Sequence, residues 1–382
     1  MMAHEQKRIA LYTGAYNHIA DGVSLTLNRL VAFLLEGRAD VLVLAPTTSK
    51  PALEHQGELE PVPSVAIPGR AEYRVALGLS RQNRERLRAF SPDIMHIATP
   101  DLAGTQARAW AHRRGLPIVA SYHTHFSSYL DYYRMGWMQP LMWAWLRSSY
   151  RSCSHIYVPT PSMADILRSH GIHDGVELWP RGVETDIFHP DRRSVAFRQR
   201  HGFSDDDVVV AFISRLVIEK GTDVYAGVIQ AVQAEGVPVR ALVVGAGPAE
   251  DNLRSMLPQA TFTGHLSGDA LAEAYASSDI FLFPSETETF GNVTLEAMAS
   301  GLPTVCANAV GSKSLVRDGE TGILCRARDT ADFTQAVCEL IRDTPRRAAM
   351  GRAARERATQ YSWPVILGRL NDCYDRLLKE KN

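Results

Sequence analysis

Cysteine is scarce in this chain, five in 382 residues, at Cys153, Cys306, Cys325, Cys338 and Cys373. Their odd number and irregular spacing exclude a complete disulfide framework and the paired spacing of a zinc site, so buried free thiols are expected. Charge of one sign is lacking as well. With 41 Lys and Arg against 42 Asp and Glu, the net charge is -1. No global field draws such a chain to nucleic acid, and no basic cluster carries the interleaved aromatics of an RNA-binding module. Nucleic acid is not an expected partner. Nor is there an uninterrupted apolar run long enough to span a bilayer, and residues 1–8 run into a strand pattern without the apolar core of a signal peptide. A cytoplasmic location is the expectation. What is present is a globular hydrophobic share of 45% and a length beyond what one core usually serves, which together predict two domains.

Short apolar runs alternate with helical patterns along the chain. They begin Ile9-Ala10-Leu11-Tyr12-Thr13, Val41-Leu42-Val43-Leu44-Ala45, Ile94-Met95-His96-Ile97-Ala98, Ile118-Val119-Ala120-Ser121-Tyr122 and Ile156-Tyr157-Val158-Pro159. The rhythm restarts at Val208 and continues through residues 239–245, 279–284, 304–307 and 322–325. Runs of this kind fill buried parallel strands covered by helices, so the expected class is α/β, in two copies of one architecture. Between the copies, residues 180–190 form a polar, proline-bounded connection. Near the end, Ile366, Leu370, Tyr374 and Leu377 recur at the spacing of a helix with one buried face.

Two segments carry chemistry. After the run ending at Pro284, the chain reads Ser285-Glu286-Thr287-Glu288-Thr289-Phe290-Gly291-Asn292-Val293-Thr294-Leu295-Glu296, with a helix expected from Asn292 and a stop at Gly301-Leu302-Pro303. The first amides of that helix have no partner within it and sit at the positive end of the peptide dipoles, so a diphosphate can dock there. Gly291 lets a ligand approach the backbone closely. Glu288 and Glu296, with seven residues between them, each suit a pair of neighbouring sugar hydroxyls; a solvated loop charge and an ordinary helix residue are the plain alternatives. The second segment leaves the run 208–213 as Ser214-Arg215-Leu216-Val217-Ile218-Glu219-Lys220-Gly221, before an amphipathic helix from about Thr222 to Ala234. Arg215 offers a planar fork for phosphate oxygens and Lys220 a movable point charge, at the strand end where open α/β sheets bind ligands. The alternative is a surface ion pair, Glu219 with one of the cations.

Together these segments resemble the donor-binding signature of family 4 glycosyltransferases, here Glu288 and Glu296 with Phe290-Gly291 between them, preceded by an Arg and a Lys at the family's spacing. The likeness covers nearly the whole chain. It implies two facing Rossmann-like domains (the GT-B architecture), residues 1–189 binding the acceptor and 190–361 the nucleotide sugar. The connection 180–190 is similar to the family's interdomain phrase, which places the boundary near His189, and the last helix, 362–382, is implied to cross back to the first domain. Arg215 and Lys220 are implied to hold the donor's diphosphate with the helix start Phe290, Gly291, Asn292, Val293 and Thr294, and Glu288 and Glu296 to hold its hydroxyls. His265 and Leu266 are implied to flank the base, with a plain turn as the alternative for His265. Gly22, in the loop after the first strand, is implied to approach the phosphate from the other side, an ordinary strand-to-helix turn being the alternative, and His123, at a strand end, is implied to contact the transferred sugar. The reaction implied is transfer of a hexose-type sugar from a UDP- or GDP-sugar with retention of anomeric configuration, by same-face attack. No cofactor beyond the donor is implied. Arg215, Lys220 and the helix start are expected to take the place of a metal.

Other features keep alternatives open. Val244-Gly245-Ala246-Gly247-Pro248 suggests a dinucleotide fingerprint and a nicotinamide oxidoreductase, but the third glycine is missing. A nucleotide-sugar sensor without catalysis is the other competitor. Asp205-Asp206-Asp207 has the Asp-x-Asp pattern of metal-dependent transferases, yet it precedes a strand as a linker turn. His123-Thr124-His125 has no nearby carboxylate to complete a metal site. Residues 132–147 gather three tryptophans and three methionines with arginines, and Arg81, Arg84, Arg86 and Arg88 follow a helical pattern elsewhere. Such sequence suits a lipid or glycolipid acceptor at the inner face of a membrane; core or dimer packing for the aromatic stretch and a solvated arginine face are the alternatives.

Overall fold

Strands that are apolar from end to end need cover on both faces, and the computed structural model, which describes residues 6–19, 21–67, 70–122, 136–288 and 290–381, supplies it in two units. The first comprises Met1–Pro180 with Leu367–Asn382, the second Arg181–Ile366. In the first, β1 (Lys7–Tyr12), β2 (Ala39–Ala45) and β3 (Glu58–Pro61) are followed by an antiparallel hairpin, β4 (Ser64–Ile67) and β5 (Arg70–Ala76), and then by β6 (Ile94–Ile97), β7 (Ile118–Ser121), β8 (His155–Val158) and β9 (Val176–Leu178). All but the hairpin form one parallel sheet in the order β3-β2-β1-β6-β7-β8-β9. Among the described residues its helices are α1 (Gly22–Leu35), α2 (Arg81–Phe90), α3 (Leu102–His112), α4 (Gln139–Tyr150) and α5 (Pro161–Ser169).

The second unit holds β10 (Val209–Ile213), β11 (Arg240–Val244), β12 (Thr261–Gly264), β13 (Ile280–Phe283), β14 (Thr304–Ala307) and β15 (Gly322–Cys325), parallel throughout in the order β12-β11-β10-β13-β14-β15. Around them lie α6 (Val195–Arg200), α7 (Thr222–Ala234), α8 (Glu250–Met256), α9 (Gly268–Ala276), α10 (Asn292–Ala299), α11 (Val310–Leu315), α12 (Thr330–Arg342) and α13 (Thr344–Thr359). Every residue of β10, β13 and β14 is buried, the reason their sequences read as unbroken apolar runs rather than as alternating ones. β3, β4, β5 and β9 carry no such signal. Glu58-Leu59-Glu60-Pro61 is a half-exposed sheet edge, β4 is largely exposed, and β9 has only three residues.

The division between units falls at Pro180/Arg181 rather than near His189. The connecting segment is bound into the second unit because Arg355 donates to the carbonyls of Thr185 and Phe188, and Val183 bridges to Ser362. The last helix, α14 (Trp363–Lys381), begins in the second unit and belongs to the first from Leu367. There Lys7 Nζ donates to Asn371 Oδ1 at 2.6 Å and Asp375 Oδ1 at 2.5 Å, and buried His96 shares hydrogen bonds with Tyr374 Oη, at 2.7 Å, and Ser121 Oγ. The expected stripe of Ile366, Leu370, Tyr374 and Leu377 is buried. Of the cysteines, Cys153 is half-buried and the others buried, all as free thiols.

At the amino-terminal edge of the second sheet, the guanidinium of Arg198 is enclosed, 1% exposed. It donates to the carbonyls of Ser204, Asp207 and Ser277 and to Asp279 Oδ2 at 3.1 Å. Asp279 also accepts the Val209 amide and pairs with Arg193. The Asp205–Asp207 turn is thus part of a strap that sets the starts of β10 and β13, at the opposite end of β10 from Arg215. Removing Arg198 takes the donor from three carbonyls and the enclosed partner from Asp279, so Arg198→Met is expected to lower unfolding free energy by about 3 to 5 kcal/mol, whereas the exposed Arg200→Met changes it by less than about 0.5 kcal/mol. Urea denaturation of the two variants checks this; equal midpoints would remove the strap from the account.

Candidate active site

Where the order of a doubly wound sheet reverses, the two neighbouring strands send their loops apart and leave a crevice at their carboxyl ends. In the second unit that point lies between β10 and β13. Both chemistry-bearing segments emerge there, Arg215 and Lys220 after β10 and Glu288 after β13. The loops are tied by backbone, since Ser285 Oγ and Thr287 Oγ1 each donate to the Glu219 carbonyl at 3.3 Å. This tie sets Lys220 against Glu288, Nζ to Oε1 at 2.5 Å, with side chains 11% and 21% exposed. Lys220 therefore pairs not with its neighbour Glu219 but with the residue expected to hold sugar. One of its three N–H donors is used, and two remain for a ligand's oxygens. Arg215 is exposed, and among the described residues it makes no ion pair.

The glycines after β11 have their explanation in this loop. A Cβ on Gly245 would lie 1.8 Å from the Ser214 carbonyl oxygen, and one on Gly247 2.4 Å from that of Leu216. The Leu216 amide donates to Ala246 O and the Ala249 amide to Leu216 O. The two glycines thus seat the loop bearing Arg215, and close backbone approach to a neighbouring loop, not to a dinucleotide, accounts for them.

α10 follows Gly291, whose φ of 95° is left-handed, and no side chain caps it. Its first-turn amides, unlike those of α1, are open to an outside acceptor. At α1 the carboxylate of Asp21 already accepts from the Val23 and Ser24 amides, so the anion role expected at Gly22 has lost those two donors. Asn292 is exposed and Val293 half-buried, but Phe290 is 3% exposed with its ring edge-on to Tyr361, and Thr294 is fully buried with its hydroxyl 3.9 Å from Cys306 Sγ. The side chains of Phe290 and Thr294 are core, which leaves only their backbone to a ligand. Glu296 is half-buried and accepts from Tyr275 Oη at 3.1 Å. Burial pushes its carboxyl up to about 7, against the opposing pull of the Tyr275 hydrogen bond.

His265 is exposed and Leu266 half-buried, packed on the core at the end of β12, where the Gly245 amide donates to the Gly264 carbonyl. They share the carboxyl edge of the sheet with Arg215 and Lys220. His123 lies outside the described residues, as do residues 132–135 of the aromatic stretch. The arginines of α2 are largely spent within the protein, with Arg81 on Glu85, Arg86 on Glu58, and Arg84 on Gln106. Among the described residues no three His, Cys, Asp or Glu side chains are grouped to hold a metal. Sequence reasoning missed Tyr275, Ser285 and Thr287. The one available signal was Tyr275 itself, a phenol on an otherwise small-residue helix face just before β13.

Comparison with known proteins gives this geometry its place. Residues 207–343 match the family described as glycosyl transferases group 1, and residues 20–187 match glycosyltransferase family 4. A GDP-mannose-dependent alpha-mannosyltransferase of Corynebacterium glutamicum is 32% identical over 372 residues, 96% of this chain and 88% of that protein. A sulfoquinovosyl transferase of Arabidopsis thaliana is 30% identical over 367 residues, 94% and 71% respectively. Among solved structures, HepE of Anabaena in complex with UDP superposes with a TM-score of 0.73 at 18% identity, covering 97% of this chain and 100% of that one. Two parallel sheets, a cation pair and two glutamates at the second sheet's switch point, and relatives matched along nearly the whole length agree: this chain belongs to glycosyltransferase family 4, with the GT-B architecture.

Proposed function

We propose that this protein moves mannose from GDP-mannose, with retention of anomeric configuration, to an acceptor at a membrane surface. The observation that carries the transfer reading is the Lys220–Glu288 contact at the crevice between β10 and β13. Breaking the bond between a sugar's anomeric carbon and a diphosphate builds negative charge on the leaving oxygens. Donors fixed in advance stabilise that charge without reorganising. Arg215, the two remaining N–H donors of Lys220 and the uncapped amides of α10 are such donors, and a carboxylate beside them receives hydroxyls. Glu288 faces a cation and binds hydroxyls in this reading, so no free carboxylate is assigned to double displacement; same-face attack follows, with the departing phosphate receiving the acceptor's proton. The leaving charge is met by these cations, without a metal. GDP-mannose is chosen because the relative matched over 88% of its own length is named for that donor.

The acceptor's placement rests on α4. Trp143, Leu146, Ser149 and Tyr150 are buried, with Trp143 stacked on His170, whereas Leu141 and Trp145 on the helix, and Trp137 in the short turn that leads into it, are 66%, 40% and 74% exposed. Arg147 and Arg151 are exposed nearby, and residues 136–151 contain no acidic side chain. Apolar rings with cations and no anions match an anionic lipid interface. No described helix is long and apolar enough to cross a membrane, so the contact proposed is a surface one.

GDP-mannose is expected to raise the melting temperature and UDP-sugars to do so less. Lys220→Ala or Arg215→Ala should lower kcat by about 10²- to 10³-fold, with EDTA leaving the wild-type rate unchanged. An inverted product anomer, or transfer undiminished in both variants, would overturn the reading. Combined Trp137→Ser, Leu141→Ser and Trp145→Ser should abolish co-sedimentation with phosphatidylglycerol vesicles while leaving the melting temperature in place; undiminished sedimentation would remove the membrane from the proposal.

A further inference from the structure

Tyr275 has a single proton and two acceptors. Its ring is completely buried at the end of α9, edge-on to Phe188 at 5.7 Å and tilted to Phe281 at 5.9 Å, so it has one position. From there Oη lies 3.2 Å from the Val293 carbonyl, in the first turn of α10, and 3.1 Å from Glu296 Oε2, one turn further on. A phenol donates one hydrogen bond and accepts others. With Glu296 ionised, the proton of Tyr275 goes to the carboxylate. With Glu296 protonated, the carboxyl donates to Oη and the phenol donates to Val293 O. In both arrangements the phenol's proton has an acceptor, and only the first leaves Glu296 free of a proton to receive two hydroxyls.

We propose that Tyr275 is a positioning residue for the transfer, holding Glu296 as an oriented carboxylate for a vicinal hydroxyl pair of the nucleotide sugar. This rests on the donor-site reading above and adds to it the group that sets the second glutamate. Burial drives Glu296 toward its neutral form and the phenol opposes it, so the capacity to accept both hydroxyls is present above the titration of Glu296, near 7, and is lost as pH falls through it. Other charged groups on the elements packed against α10 are engaged elsewhere or exposed. On α13, Arg346 pairs with Glu339, Arg347 donates to the carbonyls of Leu340 and Ile341, Arg355 to those of Thr185, Phe188 and Ala299, and Arg357 to those of Ser314 and Leu315, while Arg352 and Glu356 are exposed; on α9, Asp269 pairs with Arg192 and Glu273 with Arg200; α11 carries the exposed Lys313; β13 and β14 bear no charge. None of them forms an ion pair with Glu296.

The test is the affinity of GDP-mannose, and of UDP-glucose as a second probe, measured calorimetrically without acceptor from pH 5.5 to 8.5, a range in which the diphosphate diester of neither probe titrates. In the wild type, affinity should weaken on acidification with a midpoint near 7. Tyr275→Phe keeps the ring in its aromatic cage and removes the one donor, so the midpoint should move upward by about one pH unit while affinity at pH 8.5 changes less than at pH 7. Glu296→Gln should bind about tenfold more weakly and lose the midpoint, which separates Glu296 from exposed His265. A midpoint that stays in place in Tyr275→Phe, or survives in Glu296→Gln, overturns the proposal while leaving the donor site standing. Absence of binding by either probe at pH 8.5 in the wild type overturns the donor-site reading and this inference with it. Circular dichroism melts of both variants near the wild-type temperature tie the shifts to the carboxylate rather than to misfolding.

Discussion

The contact between Lys220 and Glu288 exists because of a reversal in strand order. Sixty-eight residues separate the two in sequence, and neither loop alone has a reason to hold the other's charge. Winding β10, β11 and β12 to one side and β13, β14 and β15 to the other puts the exits of β10 and β13 next to each other, and the Glu219 carbonyl, taking two hydroxyls from the facing loop, fixes the distance. The strap of Arg198 on Asp279 does the complementary task at the far ends of the same strands, tying their starts so that their exits keep register. Glycines at 245 and 247 let a third loop close in behind Arg215. The site is thus a property of the sheet before it is a property of its side chains.

The two glutamates of the signature have different surroundings, and the difference follows from which side of Gly291 each lies on. Glu288 comes before the turn and meets an ammonium; Glu296 comes after it, on the helix, and meets a phenol in an apolar cage. One carboxylate answers to a charge, the other to a dipole and to desolvation. A repeated residue type at a fixed spacing therefore does not mean a repeated function.

Much of the fold was legible because buried parallel strands announce themselves. Val209 to Ile213 and Ile280 to Phe283 cannot face water on either side. The edge strand Glu58–Pro61, the hairpin that follows it and the short Val176–Leu178 were not legible, since an exposed edge places no demand on hydrophobicity. In the candidate site, Arg215, Lys220, Glu288 and Glu296 were singled out by their resemblance to the family's signature, but the partners of Lys220 and Glu296 could not be read, because pairing across a strand reversal leaves no local trace. Phe290 and Thr294 were read as ligand-facing from their place in the signature, yet their side chains go into the core. Gly245 and Gly247 were open to misreading for a physical reason: any backbone brought within van der Waals distance demands the same missing side chain, whatever it belongs to. Arg86 of α2 looked available because Glu58, which takes it, lies in an element the sequence did not reveal.

The return of α14 to the first unit sets an order on biosynthesis. That unit's sheet leaves the ribosome first, yet the Tyr374 hydroxyl that meets His96, and the Asp375 carboxylate that meets Lys7, are translated roughly 200 residues after β9, a delay on the order of 10 to 40 s at elongation rates of about 5 to 20 residues per second. For that interval the nascent amino-terminal sheet lacks its closing helix, and the second unit, continuous in the chain, can finish folding before the first is sealed.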